Sequence, residues 1–120
     1  MINKLTSEIH KNAVSKGFYA DERNIGEILC LIHSEVSEAL EADRDNRFLS
    51  SDLSDVLKLD DSDFVAKFEE TTKNTFEDEL ADILIRVMDL AGYKDIDLEK
   101  HVEAKMRYNA LRSFKHGKKY

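Results

Sequence analysis

The stretch IGEILCLIHSEVSEALEADRD, residues 25–45, carries the clearest structural signal in the chain. Its apolar residues recur every three or four positions, which is the period of one face of an α-helix. They are Ile25, Ile28, Leu29, Ile32, Val36, Ala39 and Leu40. Because Asp21 or Asn24 can cap the amino end, the stretch predicts a long amphipathic helix that ends near Asp45.

Two other segments have the same period. The first helix of the chain is predicted from Ile2 to Gly17, because glycine readily adopts the left-handed conformation that closes many helices. A later helix begins at Thr75, whose hydroxyl can cap the amide of Asp78, and is predicted to close at Gly92. The chain contains no proline, so neither helix has a proline interruption.

The remaining chain contains one more helix and an insertion. The last helix is predicted to start near Asp97 and to continue to about Phe114. Residues 43–63 contain seven Asp and are predicted to form a solvated acidic loop, followed by a short helix around residues 64–68. We therefore predict a single all-α domain over residues 1–120, with a four-helix-bundle-like core of long amphipathic helices. The acidic loop and short helix are inserted between the second and third long helices.

Charge is unevenly distributed along the sequence. The whole chain has a net charge of −7, but its last twenty residues contain six Lys and Arg against one Glu. An acidic body with a basic tail fits cations bound by the body and an anionic ligand held by the tail, although a solvated surface fits the same counts. The negative net charge argues against a stable nucleic-acid partner.

Cysteine content and hydropathy indicate the cellular compartment in which the protein is expected. A single cysteine excludes an intrachain disulfide, and the longest strongly apolar run is only Ile28 to Ile32. We expect neither a signal peptide nor a membrane span, and hence a cytoplasmic protein without membrane association. Cys30 lies in the apolar run and is predicted to be a small buried residue.

Two pairs of carboxylates carry the main chemical signal: Glu35 with Glu38, and Glu79 with Asp82. A separation of three residues places each pair on one helix face, at the edge of an apolar stripe. Packing the stripes together would bring four carboxylates close, and their repulsion would call for a cation between them. Such hard oxygen ligands favour Mg²⁺, with Mn²⁺ as a substitute. Ordinary solvated helix faces are the alternative.

The C-terminal segment offers a complementary stripe of hydrogen-bond donors, spaced three or four residues apart on one predicted helix face. They are His101, Lys105, Asn109, Arg112 and His116. Lys and Arg bind phosphate, and Asn can hold a sugar or base edge; a solvent-facing basic stripe is the alternative. Phe18 could stack on a base or pack in the core.

Taken together, these motifs resemble the all-α nucleoside triphosphate pyrophosphohydrolases, specifically the small MazG-like proteins. That family carries Glu-x-x-Glu on one helix, Glu-x-x-Asp on the next long helix, and a later helix with Lys, Asn and Arg before a basic tail. The matching stretches here are residues 17–19, 31–41, 78–83 and 105–119. The resemblance covers the chain from about Asn12 to its end, apart from the insertion at residues 43–75.

The resemblance implies hydrolysis of a nucleoside triphosphate between the α and β phosphates, giving a monophosphate and pyrophosphate. It implies Mg²⁺ bound by Glu35, Glu38, Glu79 and Asp82. The catalytic base is not assigned by the resemblance, and we expect it to be Glu38 or Glu35. The substrate-binding residues would be Lys105, Asn109, Arg112, His116, Lys118 and Phe18. Members of this family are typically homodimers or homotetramers, so the same assembly is expected here.

Two other functions remain open from the sequence. Phosphoribosyl-ATP pyrophosphohydrolase belongs to the same superfamily and uses similar acidic motifs, but the Gly17–Tyr19 segment and the end at residues 116–119 favour the MazG-like function. A non-catalytic helical interaction module with a structural metal site is the other. It predicts that removal of Glu38 alters stability without affecting any turnover.

Overall fold

The computed structural model describes all 120 residues, and its regular secondary structure is entirely helical. The helices are α1 (Ile2–Ser15), α2 (Ile25–Arg44), α3 (Leu53–Val56), α4 (Asp61–Thr71), α5 (Phe76–Tyr93) and α6 (Leu98–Ala110), followed by a short 3₁₀ turn (Phe114–Gly117). The predicted all-α class with four long helices is confirmed. None of the helices combines the length and apolar character needed to cross a membrane.

The chain divides into two compact units. The central unit comprises residues 23–87, and the terminal unit comprises residues 1–22 and 88–120. Helix α5 begins in the central unit and ends in the terminal unit. The central unit therefore contains α2, α3, α4 and most of α5, whereas the terminal unit contains α1 and α6.

Side-chain caps fix the beginnings of the long helices at or near the predicted residues. The side chain of Asn24 accepts a hydrogen bond from the amide of Glu27 and begins α2. The hydroxyl of Thr75 accepts from the amide of Asp78 at 3.3 Å, as predicted for α5. The Asp78 carboxylate accepts from the amide of Asn74 at 3.0 Å. Two backbone amides at this end are thereby satisfied, in a variant of the capping box in which the acid reaches the residue before the cap.

The end of α1 was predicted correctly, and that of α5 was not. Gly17 has φ +87°, and the amide of Phe18 donates to the carbonyl of Ala13 at 3.1 Å, as in a Schellman motif. Helix α5 continues through Gly92 and closes instead at Asp95, which has φ 53°. The αL cap therefore falls on an aspartate, a residue that tolerates this conformation better than most.

Gly92 serves a packing purpose inside the terminal unit rather than ending α5. A β-carbon at this position would lie 2.7 Å from Cβ of His10 on α1 and 3.5 Å from a methyl carbon of Thr6. The missing side chain therefore allows α1 to approach α5 closely. Sequence spacing cannot distinguish a glycine required for such an approach from one that closes a helix.

Helix α6 is shorter than predicted. It ends at Ala110 rather than near Phe114, and Lys115 and His116 both have φ 53°, outside the right-handed helical region. The predicted stripe of donors on one helix face is therefore wrong beyond Asn109. Arg112 instead folds back, and its guanidinium donates to the carbonyl oxygen of His116 at 3.2 Å.

The insertion between α2 and α5 has the predicted character, an acidic connection with short helices. Its second helix, α4, spans Asp61–Thr71 and is longer than the predicted segment at residues 64–68. The added turn at the amino end forms because the carboxylate of Asp60 caps the amide of Asp63 at 3.0 Å. Acidic residues are favourable in a first helical turn, so part of the predicted loop is helical.

The core of the central unit is smaller than the apolar stripe of α2 predicts. Ile28, Ala39 and Ala42 are buried, but Val36 and Leu40 are about half exposed, at 49% and 50%. Cys30 is also exposed, so its predicted burial is wrong. These side chains follow the helical period, yet they lie on a face that the chain itself does not cover.

Candidate metal centre

Three carboxylates converge in the central unit. One oxygen from each of Glu35, Glu79 and Asp82 lies within 4.8 Å of the others. Glu35 comes from α2, whereas Glu79 and Asp82 come from successive turns at the beginning of α5. The sequence prediction that both helices contribute acids to one place is therefore correct for these residues.

The acids lie deeper than predicted. Glu35 is 6% exposed and Glu79 is 5% exposed, comparable to the apolar core residues. Along α2, Glu35 follows the buried Ile28 by seven positions and precedes the buried Ala39 by four, so it lies within the buried stripe rather than at its edge. A buried carboxylate requires a partner, because its desolvation is costly.

Glu38 adjoins the buried group from the exposed side of α2. A hydrogen bond with Glu35 raises the pKa of Glu38, and both burial and the charge of Glu35 act in the same direction. A hydrogen bond with Glu79 opposes this shift. The fourth predicted carboxylate therefore belongs to the same electrostatic cluster.

Proton affinities in the cluster are raised by crowding. Burial raises the pKa of Glu79 from 4.5 to about 6, with further contributions from the charges of Glu38 and Asp82. Burial also raises the pKa of Asp82, followed by repulsion from Asp78. These acids therefore hold negative charge less readily than isolated ones, as expected where positive charge is lacking.

One acceptor in the cluster is unsatisfied. The Oε2 atom of Glu79 is buried and has no hydrogen-bond partner. Buried polar atoms in folded proteins nearly always have a partner, so an orphan on one of the converging carboxylates requires an explanation. A bound cation would satisfy it.

Arg86 supplies a positive charge beside these carboxylates, which the sequence analysis did not predict. Its Nε donates to Oε1 of Glu35, which holds that carboxylate in place. Arg86 lies four residues after Asp82 and seven after Glu79, so the helical period puts it on the same face of α5. That spacing was a signal available in the sequence. One guanidinium cannot neutralise four carboxylates, so the cluster keeps a net negative charge that a cation would offset.

No protein family, curated protein or solved structure matches this chain. The cluster is therefore interpreted from its own chemistry. Carboxylate oxygens from three residues lie within 4.8 Å of one another, and one of these residues, Glu79, has a buried oxygen without a partner. This donor set suits a hard divalent cation such as Mg²⁺.

The predicted substrate-binding residues all belong to the terminal unit. Lys105 and Asn109 lie on α6, whereas Arg112, His116 and Lys118 follow it. The Lys105 ammonium and the Arg112 guanidinium lie 5.0 and 5.4 Å from the centre of the Tyr108 ring. Tyr108 therefore groups two of the predicted phosphate ligands on one surface, although they are not on one continuous helix face.

Phe18 is 62% exposed, so the alternative that it packs in the core is not supported. Its neighbour Tyr19 belongs instead to a hydrogen-bonded group in the terminal unit. The Tyr19 hydroxyl donates to Asp89 at 2.6 Å, and Nδ1 of His10 lies 2.9 Å from the other oxygen of Asp89. These partners are distant in sequence, so no local spacing could have indicated the group.

Proposed function

We propose that this protein is a cytoplasmic nucleoside triphosphate pyrophosphohydrolase, with neither a stable nucleic-acid partner nor membrane attachment. It cleaves the bond between the α and β phosphates and releases a nucleoside monophosphate and pyrophosphate. The observation that carries this proposal is the orphaned Oε2 of buried Glu79 among converging carboxylates. A phosphate substrate with its divalent cation suits such a site, because magnesium commonly uses carboxylate and phosphate oxygens together.

The proposed Mg²⁺ ligands are Glu35, Glu38, Glu79 and Asp82, and Mn²⁺ can substitute because it takes the same carboxylate ligands. When bound, the ion would supply Lewis-acid chemistry for phosphoryl transfer and a lowered pKa for water. Arg86 fixes the orientation of Glu35 through their ion pair. Residues that hydrogen-bond to a metal ligand, and thereby orient it, contribute strongly to metal affinity.

Glu38 is the better candidate for the general base of this reaction. Glu35 is buried and paired with Arg86, whereas Glu38 is exposed on the same helix and reachable by substrate and water. A carboxylate that solvent reaches can accept a proton from water in the site. We therefore assign to Oε of Glu38 the proton taken from the attacking water.

We assign substrate binding to the exposed cations and polar groups of the terminal unit: Lys105, Asn109, Arg112, His116, Lys118 and Phe18. Neither Lys105 nor Arg112 forms an ion pair with a carboxylate, so both charges are free to bind an anion. Arg binds phosphate as a planar fork and Lys binds it as a point charge. Phe18 is an exposed aromatic side chain of the same unit.

Arg112→Ala tests this assignment. We expect KM for the preferred triphosphate to rise about 10- to 100-fold, the range for loss of a hydrogen bond to a charged group, with kcat changed much less. Steady-state kinetics of pyrophosphate release measures both constants. Arg107→Ala, on the neighbouring turn of α6, removes the same charge as a control. An unchanged KM in the Arg112 variant would contradict the role of Arg112.

The proposed reaction is tested by measuring pyrophosphate and monophosphate from a panel of ribo- and deoxynucleoside triphosphates and phosphoribosyl-ATP. Each substrate is assayed with Mg²⁺, with Mn²⁺ and with chelator. Metal-dependent release of both products from a nucleoside triphosphate is the expected result. Turnover of phosphoribosyl-ATP alone would replace the proposed substrate. Folded, metal-binding protein that releases no pyrophosphate from any substrate would exclude the reaction.

We also propose that the protein is a homodimer or homotetramer. In the central unit, Leu29, Val36 and Leu40 form an exposed apolar strip on α2, and Leu80 and Leu84 form another on α5. Large exposed apolar patches commonly mark protein interfaces, and association would supply the burial that a short chain lacks.

Mass photometry or sedimentation should therefore give a mass two or four times that of the 13.8 kDa chain. Val36→Glu, which places a charge in the exposed strip of α2, is expected to shift the protein toward monomer. Ser34→Glu adds the same charge to an exposed position on another face of α2 and should leave the mass unchanged. A monomeric wild-type protein would refute the assembly.

A further inference from the structure

A cavity of about 350 Å³ lies in the central unit between α4 and the beginning of α5. Its wall includes Phe64, Phe68, Lys73, Asn74, Asp78 and Asp82. The volume falls at the small end of the range for small-molecule sites. Asp82 belongs both to this wall and to the converging carboxylates, so the cavity adjoins the candidate metal centre.

Two aromatic rings form one side of the cavity. Phe64 and Phe68 lie one turn apart on α4, with ring centres 5.7 Å apart and planes tilted by 33°. Both side chains are only partly buried, so each keeps exposed surface that a ligand could contact. Aromatic faces of this kind bind planar groups, and nucleobases stack on them with little regard to base identity.

The turn before α5 adds polar groups to the same cavity. Asn74 uses its amide to donate to Asp78 and its carbonyl to accept from Arg47, but its side-chain carboxamide makes no hydrogen bond within the chain. A free carboxamide has both donors and an acceptor, the combination that recognises a base edge. Lys73 forms no ion pair with a carboxylate of the chain.

We propose that this cavity holds the base of the nucleotide whose phosphates bind at the metal centre, and that Asn74 contributes to the choice of base. The inference rests on the proposed function for the identity of the ligand. Phe64 and Phe68 provide the stacking surface, and the carboxamide of Asn74 provides the polar contact with the base edge. Helix α4, which lies in the inserted segment, thereby becomes part of the substrate site.

Calorimetric titration with α,β-methylene nucleoside triphosphates in Mg²⁺ tests the stacking surface. These analogues are not cleaved during the titration, because carbon replaces the bridging oxygen of the bond to be cleaved. The panel covers the common ribo- and deoxynucleotides, and inorganic tripolyphosphate serves as the probe without a base. For Phe64→Leu/Phe68→Leu we expect nucleotide Kd to rise about 5- to 150-fold, the range for loss of base stacking. Tripolyphosphate binding should be unchanged.

Phe48→Leu is the matched control, since Phe48 is in the same unit and pairs with Phe76 rather than lining this cavity. It should bind nucleotide as the wild type does. Equal loss of nucleotide and tripolyphosphate affinity, or no loss of either, in the double variant would overturn the proposal. Failure of the wild type to bind any nucleotide would overturn it as well. Phe-dependent binding without pyrophosphate release would retain the cavity and reject only the proposed hydrolysis.

Asn74→Gly provides a second test that leaves the aromatic pair intact. Asn74 has φ 65°, which glycine adopts without strain, so the variant removes the carboxamide and preserves the turn. The wild type is expected to bind one base better than the others. In Asn74→Gly, the Kd for that base should rise by about 10-fold or more relative to the Kd for the other bases. If the double phenylalanine variant does not fold, this measurement decides the question. An unchanged ranking and spread of Kd values would then overturn the proposal.

Discussion

Asp82→Asn is expected to lower metal-dependent pyrophosphate release by at least about 100-fold, while circular dichroism shows the wild-type helix content. The substitution removes one negative charge from the converging carboxylates and preserves side-chain volume. Even residues that only orient a metal ligand cost about 10- to 100-fold in affinity or activity when replaced, so a ligand itself should cost at least as much. Glu38→Gln should have an effect of similar size, because it removes both a proposed ligand and the proposed base.

The matched control for both variants is Glu41→Gln. Glu41 lies one turn beyond Glu38 on α2, is exposed and is outside the carboxylate cluster. Its replacement removes the same charge from the same helix and should leave turnover near wild type. Full activity in the Asp82 and Glu38 variants would reject the assigned centre. Equal inactivation by Glu41→Gln would show that the loss reflects overall negative charge instead.

Glu79→Gln is expected to stabilise the metal-free protein and to abolish its stabilisation by Mg²⁺. Burial raises the pKa of Glu79 to about 6 in the folded chain, against 4.5 as its ordinary value. The folded state therefore binds this proton more tightly than the unfolded state. Stability contributed by the retained proton is present below pH 4.5 and is lost as pH rises toward 6.

At pH 7 the ionisation of buried Glu79 lowers the unfolding free energy by about 2 kcal/mol. Glutamine does not ionise, so the variant does not lose this stability. Urea unfolding in chelator should accordingly show the variant more stable than wild type by about that amount at pH 7, and equal to it near pH 4. With Mg²⁺ the order should reverse, because only the wild type gains binding energy. A variant less stable than wild type in chelator at pH 7 would show that the surroundings of Glu79 do not destabilise its ionised form.

The helical fold could be predicted because its determinants are local. Asn24, Thr75 and Asp97 each cap a helix through a residue three positions ahead, and Gly17 closes α1 by its own backbone preference. The error at Gly92 has the opposite origin. Gly92 is required by the approach of His10, which is distant in sequence, and no local pattern reveals it.

The candidate site was predictable in its identity and less so in its depth. The spacing of Glu35, Glu79 and Asp82 on two amphipathic helices was sufficient to expect convergence, which the structure shows. The burial of Glu35 and Glu79 depends on which neighbouring positions pack closely, and the period of three to four residues does not fix that. The position of Arg86 on the acidic face of α5 follows from its spacing to Asp82, but its ion pair with Glu35 of α2 depends on helix packing that the sequence does not fix.

The exposed thiol of Cys30 has a practical consequence for studying this protein. It is the only cysteine in the chain, and it lies on α2, the helix that carries Glu35 and Glu38. A nitroxide or fluorescent label can therefore be attached at one defined point without prior mutagenesis. With such a label, paramagnetic Mn²⁺ would report its distance from the ion by relaxation enhancement, and label-to-label distances would report the geometry of any oligomer.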